Sequence, residues 1–292
     1  FAYSDFKPNG LSKKAIVVSG ALAGLLLPFM LFLLYAFFDD IIRSAKEIDP
    51  WSSSVLGSIP LQRNAQTDSI DHTKRSLISE SFRMLRTSIN FMLGAKKEKG
   101  SVVLVSSAIS GEGKSFTALN LAKSFAIANQ RTALLELDLR KPNLFNYFQE
   151  KKNQGISSYL ATGTGSIMDF ATDNSTIPHL TFFSCGIVPP NPAELLMTPH
   201  TASMFETLRH NFDVIIVDTA PLGLVADTSL LADHSDTSLL VIRLNYSKRS
   251  TLKQLETLSR TMHNRQQHIV INGAEIQRGK YYSSNYYNEK NP

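Results

Sequence analysis

The chain has 292 residues, 43% hydrophobic and 19% charged, which is enough to fill one full-sized core with length left for an appendage and excludes a disordered chain. Its single cysteine, Cys185, excludes an internal disulfide framework and a cysteine-rich metal site, and is expected to lie buried in a strand. The net charge of +5 is scattered, with only Lys96-Lys97-Glu98-Lys99 as a short cluster, so no nucleic-acid partner is expected.

Residues 15–38 carry no charge and are long enough to cross a hydrocarbon core of about 30 Å, so they are expected to form a transmembrane helix, with Pro28 tolerated inside it. Lys7, Lys13 and Lys14 before the span, against Arg43 and Lys46 after it, do not set the orientation. Trp51 is expected as an anchor near the membrane surface or in a linker. A polar connector follows, with residues 55–60 as a small apolar patch and residues 62–76 as a flexible linker. Ser79 is then placed to cap a helix whose apolar stripe is Phe82, Leu85, Ile89 and Met92. Glu80, Arg83 and Arg86 recur at steps of three on a flank of that stripe, where an ordinary intrahelical ion pair is one reading.

Residues 102–105 form a valine-rich run expected as a buried strand, and a Ser/Gly-rich turn leads from it to a helix over 116–123. In that context Ser106 to Ser115 is a phosphate cradle: backbone N–H groups point at phosphate oxygens, Lys114 reaches the β/γ-phosphates and Ser115 ligates Mg²⁺. Ser110, Gly111, Glu112, Gly113, Lys114, Ser115 and Phe116 are the expected nucleotide-binding residues. Ala108 stands where the first glycine of such a loop is usual.

Further strands are expected at 132–138, 180–184, 213–218, 239–243 and 269–272, with helices at 193–196 and near 252–262. Alternating strands and helices with nearly continuous apolar strands predict an α/β fold: a P-loop NTPase-like, mostly parallel, doubly wound sheet preceded by one transmembrane helix. Ligands bind such sheets beyond the carboxyl ends of the strands. Glu136, Asp138 and Asp218 end strands there, beside the cradle. Phosphoryl transfer needs that set: Lys114, Glu136, Asp138 and Asp218 as catalytic candidates, and Ser115, Asp138 and Asp218 as Mg²⁺ ligands. Capping of a neighbouring helix N-terminus is the competing role for a carboxylate here, more so for Glu136 than for Asp218. The polar tail after residue 277 is expected to be disordered, yet holds four tyrosines, Tyr281, Tyr282, Tyr286 and Tyr287.

Residues 106–115, Leu134-Leu135-Glu136-Leu137-Asp138-Leu139-Arg140-Lys141-Pro142 and Val214-Ile215-Ile216-Val217-Asp218-Thr219-Ala220-Pro221 resemble the Walker A, A′ and B motifs of the bacterial tyrosine kinases of the Wzc type. Residues 55–60, the Glu80/Arg83/Arg86 triplet, residues 189–196 and the tyrosine-rich tail resemble other stretches of that family, so the likeness covers nearly the whole chain. It implies a membrane-anchored autokinase that uses ATP and Mg²⁺ and phosphorylates Tyr281, Tyr282, Tyr286 and Tyr287 on neighbouring subunits. It also implies a homo-oligomeric ring joined through Glu80, Arg83 and Arg86, a partner phosphatase, and polysaccharide export machinery. The implied organisation is an extracytoplasmic remnant at 1–14, a membrane span at 15–38, a juxtamembrane linker at 39–76, a kinase domain at 77–276 in the cytoplasm and a tail at 277–292. An extracytoplasmic chain-length domain would precede Phe1. The family's A′ motif usually begins with aspartate where this chain has Glu136, which moves weight onto Asp138; Ser110 replaces its usual loop proline. Two other readings are a ParA/MinD-like ATPase switch, against which Ile109 counts because those proteins carry a lysine there, and a catalytically weak nucleotide-gated scaffold.

Overall fold

A computed structural model of the chain describes residues 13–48, 54–61, 76–94, 98–148, 154–173, 177–222, 227–252 and 266–275. The four tail tyrosines, Trp51 and most of the helix expected near 252–262 lie outside the described residues. The chain divides into two units, Phe1–Asp40 and Ile41–Pro292.

In the first unit, α1 (Lys13–Phe38) contains Pro28, and its stretch Ile16–Leu34 is long and apolar enough to cross a membrane by length and composition. In the second unit, β1 (Ser54–Pro60) and α2 (Leu77–Leu93) precede the valine-rich β2 (Ser101–Ser107). The turn after β2 opens α3 (Lys114–Ile127), followed by β3 (Thr132–Leu137), α4 (Phe145–Phe148), α5 (Ile156–Thr162), β4 (Ala171–Asp173) and β5 (Leu180–Phe183). Then come α6 (Pro192–Leu196), α7 (Pro199–Asn211), β6 (Val214–Thr219), α8 (Asp227–Ala232), β7 (Thr237–Arg243) and β8 (Gln266–Ala274).

The strands make one sheet in the order β1-β8-β7-β2-β6-β3-β5-β4, in which every pairing is parallel except β4 against β5. Because side chains alternate along a strand, Val103 and Val105 face one layer and Val102 and Leu104 the other. The first layer is α2 and α3, with Phe82, Leu85, Ile89, Leu119 and Phe125 in its core. The second includes α5 and α7, through Leu160, Met204, Phe205 and Leu208. Burial on both faces explains why these strands are apolar runs without alternation. The chain winds outward from β2 in both directions, to β6 and β3 on one side and to β7 and β8 on the other, so a crevice opens at the carboxyl end of β2.

Three expectations change. The patch at 55–60 is not part of a loose connector: it is β1, paired in parallel with β8, with Gly57 letting the Leu85 side chain approach its backbone. The helix carrying Phe82 starts earlier than expected, because Ser76 is its N-cap and Ser79 answers from the third helical position, each side chain accepting the other's backbone N–H. Cys185 is fully buried but lies just past β5.

Arg86 leaves the flank of α2 to donate to the Ser124 carbonyl at 2.6 Å. Ser124 lies in the last turn of α3, where a carbonyl has no intrahelical donor and a cation is favoured. Arg86→Ala is therefore expected to cost about 1–2 kcal/mol in urea unfolding. An unchanged midpoint would show the contact to be idle. One residue earlier in α3, burial pushes the Lys123 ammonium down to about 8 from 10.5. The folded chain thus holds this proton less tightly than the unfolded chain, and Lys123 weakens the fold below pH 8, with the penalty fading between about 8 and 10.5. Lys123→Met is expected to raise Tm at pH 7 by a few degrees and to lose that gain by pH 10.5, as calorimetry across pH would register.

The residues following α1 also enter this unit. Ile42 exchanges backbone hydrogen bonds with the loop after β7, accepting from Asn245 N at 2.8 Å and donating to Ser247 O at 2.9 Å. Glu47 caps its own short turn and pairs with Arg249 at 2.6 Å. Ile42 and Ile48 are fully buried in a cluster with Ala108, Ile242, Leu252, Ile269 and Ile271. The methyl group of Ala108 is a core atom here, which accounts for alanine at a position where glycine is usual.

Candidate functional site

The turn between β2 and α3 carries Gly111 at φ +91° and Gly113 at φ +95°, left-handed values that favour glycine. Gly113 is also the N-cap of α3 and brings no side-chain cap, so the N–H groups of Lys114, Ser115 and Phe116 lack intrahelical acceptors, and the first intrahelical bond runs from Thr117 N to Gly113 O. An uncapped helix start behind a glycine turn is an anion site.

Lys114 sits inside this mouth, mostly buried, with Nζ 2.7 Å from Asp138 Oδ2, 3.5 Å from Asp218 Oδ1 and 3.2 Å from Ser115 Oγ. Lys114, Asp138 and Asp218 come together because β6 lies between β2 and β3, with Asp218 paired to Val105 on one side and to Glu136 on the other. Burial alone would depress the Lys114 ammonium, but Asp218 and then Asp138 outweigh it and hold it above its ordinary value. Asp218 is buried and its pKa is pushed up by that burial, against the pull of Lys114 and Ser115. One of its oxygens, Oδ2, is buried with no hydrogen-bond partner among the described residues. A divalent cation held by Ser115 and Asp218 would supply the partner that atom lacks, so the residues present fit a phosphate-bearing nucleotide carried with a divalent cation.

Glu136 does not join this cluster. Its carboxylate is fully buried and accepts N–H bonds from Leu144 and Phe145, at the start of α4, and from Cys185. Burial raises its pKa while those donors oppose the rise. This is the capping role weighed against catalysis, and it occupies both oxygens. Asp138, by contrast, spends Oδ1 on Lys141 N at 3.1 Å and offers Oδ2 to Lys114. Phe116 turns its ring to Phe82, edge to face with centroids 6.0 Å apart, so a ligand can use only its backbone N–H. Glu112 likewise turns inward: it is fully buried and accepts from Ile109 N and from the Ser247 hydroxyl, with its pKa raised by burial. On α2, Glu80 pairs with Arg83 at 3.1 Å, both about a third exposed, while Arg86 is committed to Ser124.

Several residues were not legible as site residues. Arg140 forms a two-pronged pair with buried Asp227, at 2.8 and 3.1 Å, tying the turn after β3 to α8. Arg243 at the end of β7, Tyr246 just after it and Asn272 within β8 donate to the glycine turn. A polar Asn272 ending an apolar run was a faint sign; Tyr246 offered none.

Fold and site together define a phosphate-binding, nucleotide-handling domain with two acidic side chains around a lysine. Comparison with known proteins agrees. The family described as the CobQ/CobB/MinD/ParA nucleotide binding domain matches residues 103–288. The chain is 33% identical over 216 residues to the tyrosine-protein kinase YwqD of Bacillus subtilis, covering 74% of this chain and 89% of YwqD. It is 36% identical over 182 residues to the putative tyrosine-protein kinase EpsB of Ralstonia solanacearum, covering 61% of this chain but only 24% of EpsB. The BceF tyrosine kinase domain superposes with a TM-score of 0.68 at 26% identity, covering 80% of this chain and 98% of that one. The chain belongs to the CobQ/CobB/MinD/ParA nucleotide-binding family and, within it, to the bacterial tyrosine kinases. It spans about a quarter of EpsB.

Proposed function

We propose that the chain is an ATP-dependent protein-tyrosine kinase that phosphorylates Tyr281, Tyr282, Tyr286 and Tyr287 on neighbouring copies of itself. The observation that carries this reading is Lys114 held between Asp138 and Asp218 at the uncapped start of α3. The N–H groups of the turn and the first turn of α3 bind the phosphates, and Lys114 stabilises the charge that builds on the transferred group. Ser115, Asp218 and Asp138 would hold Mg²⁺, which would supply further neutralisation of the phosphates. Asp138 accepts the phenolic proton as the tyrosine oxygen bonds to the γ-phosphorus and the bond to the ADP oxygen breaks. A phenol has a pKa of about 10, so this acceptor counts only within hydrogen-bond reach. Glu136 acts on that geometry through the start of α4 and not on the proton.

The family resemblance supports a wider arrangement. Residues 15–38 anchor the chain in the bacterial cytoplasmic membrane, with the kinase domain in the cytoplasm, where ATP is available. Copies assemble in a ring through the exposed flank of α2, led by Glu80 and Arg83. A phosphatase resets the tail, and the cycle regulates polysaccharide polymerisation and export.

Incubating the chain with ATP and Mg²⁺ and mapping its modified residues by mass spectrometry tests the reading. Phosphate on the four tail tyrosines is expected; release of free phosphate with those tyrosines unmodified would favour an ATPase switch instead.

A further inference from the structure

The glycine turn is held from outside by side chains that no catalytic step uses. Tyr246 Oη donates to Ser110 O at 3.0 Å, Arg243 donates through one terminal guanidinium nitrogen to Gly111 O at 3.1 Å, and Asn272 Nδ2 donates to Glu112 O at 2.8 Å. The Arg243 guanidinium lies 5.3 Å from the centre of the Tyr246 ring, so two of the donors also support each other. The contacts are close: a Cβ at Gly111 would strike the Tyr246 hydroxyl, and one at Gly113 would strike the Asn272 amide.

A trans peptide is planar, with its C=O and the following N–H pointing in opposite directions. Fixing the carbonyls of Ser110, Gly111 and Glu112 outward therefore fixes the N–H groups of Gly111, Glu112 and Gly113 inward, away from the three donors. Those N–H groups form the nest that receives phosphate oxygens. A glycine-rich turn left alone samples many peptide orientations, and each must be frozen when the anion arrives.

We propose that Tyr246, Arg243 and Asn272 are positioning residues that set the peptide planes of the phosphate turn before nucleotide binds. The proposal rests on the nucleotide-binding reading above. Tyr246 is the informative member, because Tyr246→Phe deletes one hydroxyl and keeps the ring.

Titration calorimetry of Mg·ATP into the full chain in detergent, together with kcat and KM for ATP in tail phosphorylation, tests it. Tyr246→Phe is expected to weaken binding and raise KM about three- to ten-fold, the range of one hydrogen bond, with kcat within two-fold and Tm of the nucleotide-free protein unchanged. Arg243→Ala is expected to behave in the same way and Arg243→Lys, which keeps a donor, to recover most of the loss. That pair carries the test if Tyr246→Phe fails to fold. Parent-like affinity in both Tyr246→Phe and Arg243→Ala would overturn the proposal, as would a lowered Tm with unchanged affinity. No binding by the parent chain would overturn the nucleotide reading itself, and the proposal with it.

Discussion

Replacing Lys114 with methionine is expected to reduce phosphorylation of the tail tyrosines by at least about 10²–10³-fold, the scale of losing one charge-stabilising group at a transition state. The same change is expected to destabilise the empty protein by about 3–5 kcal/mol, because it strips the cation from two buried carboxylates, Asp138 and Asp218. Burial already lifts Asp218, and without Lys114 it holds its proton more tightly still. A carboxyl raised in the folded state stabilises that state as pH falls, so the stability deficit should shrink on acidification. Adding Asp218→Asn to Lys114→Met is expected to restore much of the stability and none of the activity. Denaturant unfolding measures the first effect and phosphotyrosine mass spectrometry the second. Tail phosphorylation persisting in the purified single variant would remove Lys114 from the chemistry.

Glu136→Gln is expected to do the reverse. The glutamine offers one acceptor oxygen where the carboxylate serves Leu144 and Phe145 N–H with one oxygen and Cys185 N–H with the other, so a donor is left facing an amide NH₂. The expected cost is about 1–3 kcal/mol of stability, with kcat held within a few-fold. If instead kcat collapses while the unfolding midpoint stays in place, Glu136 is the base and Asp138 is not.

The contrast between these carboxylates shows where the sequence is readable. Residues 106–115 and the apolar runs ending at Asp138 and Asp218 announced the cradle, the parallel sheet and the convergence on Lys114, because burial on both faces leaves strong local patterns. Glu136 and Asp138 were both placed at the site, since spacing alone cannot say whether a carboxylate turns to the crevice or to the backbone of α4. The segment at 55–60 looked like a connector because Gly57, Ser58 and Pro60 interrupt its apolar pattern, and only β8, more than 200 positions later, makes it a strand. Helix α7 escaped because Met204, Phe205 and Leu208 give too sparse a stripe to show a period. The Tyr246 and Arg243 contacts lie more than 130 positions from the turn they hold, a distance over which sequence patterns carry no signal.

The pairing of β1 with β8 bears on how the protein is made. One border of the sheet is contributed just after the membrane-length helix, and its partner strand only near residue 274. During synthesis β1 leaves the ribosome more than 200 residues ahead of β8, and must wait for nearly the whole domain between them before it finds its neighbour. A fragment starting at Leu77 would complete β8 with β7 on one side and nothing on the other, exposing a row of unpaired N–H and C=O groups and the apolar side of α2 that β1 covers. Aggregation of such a fragment, set against solubility when residues 41–61 are retained, is the biochemical signature of a sheet closed by its own earliest strand.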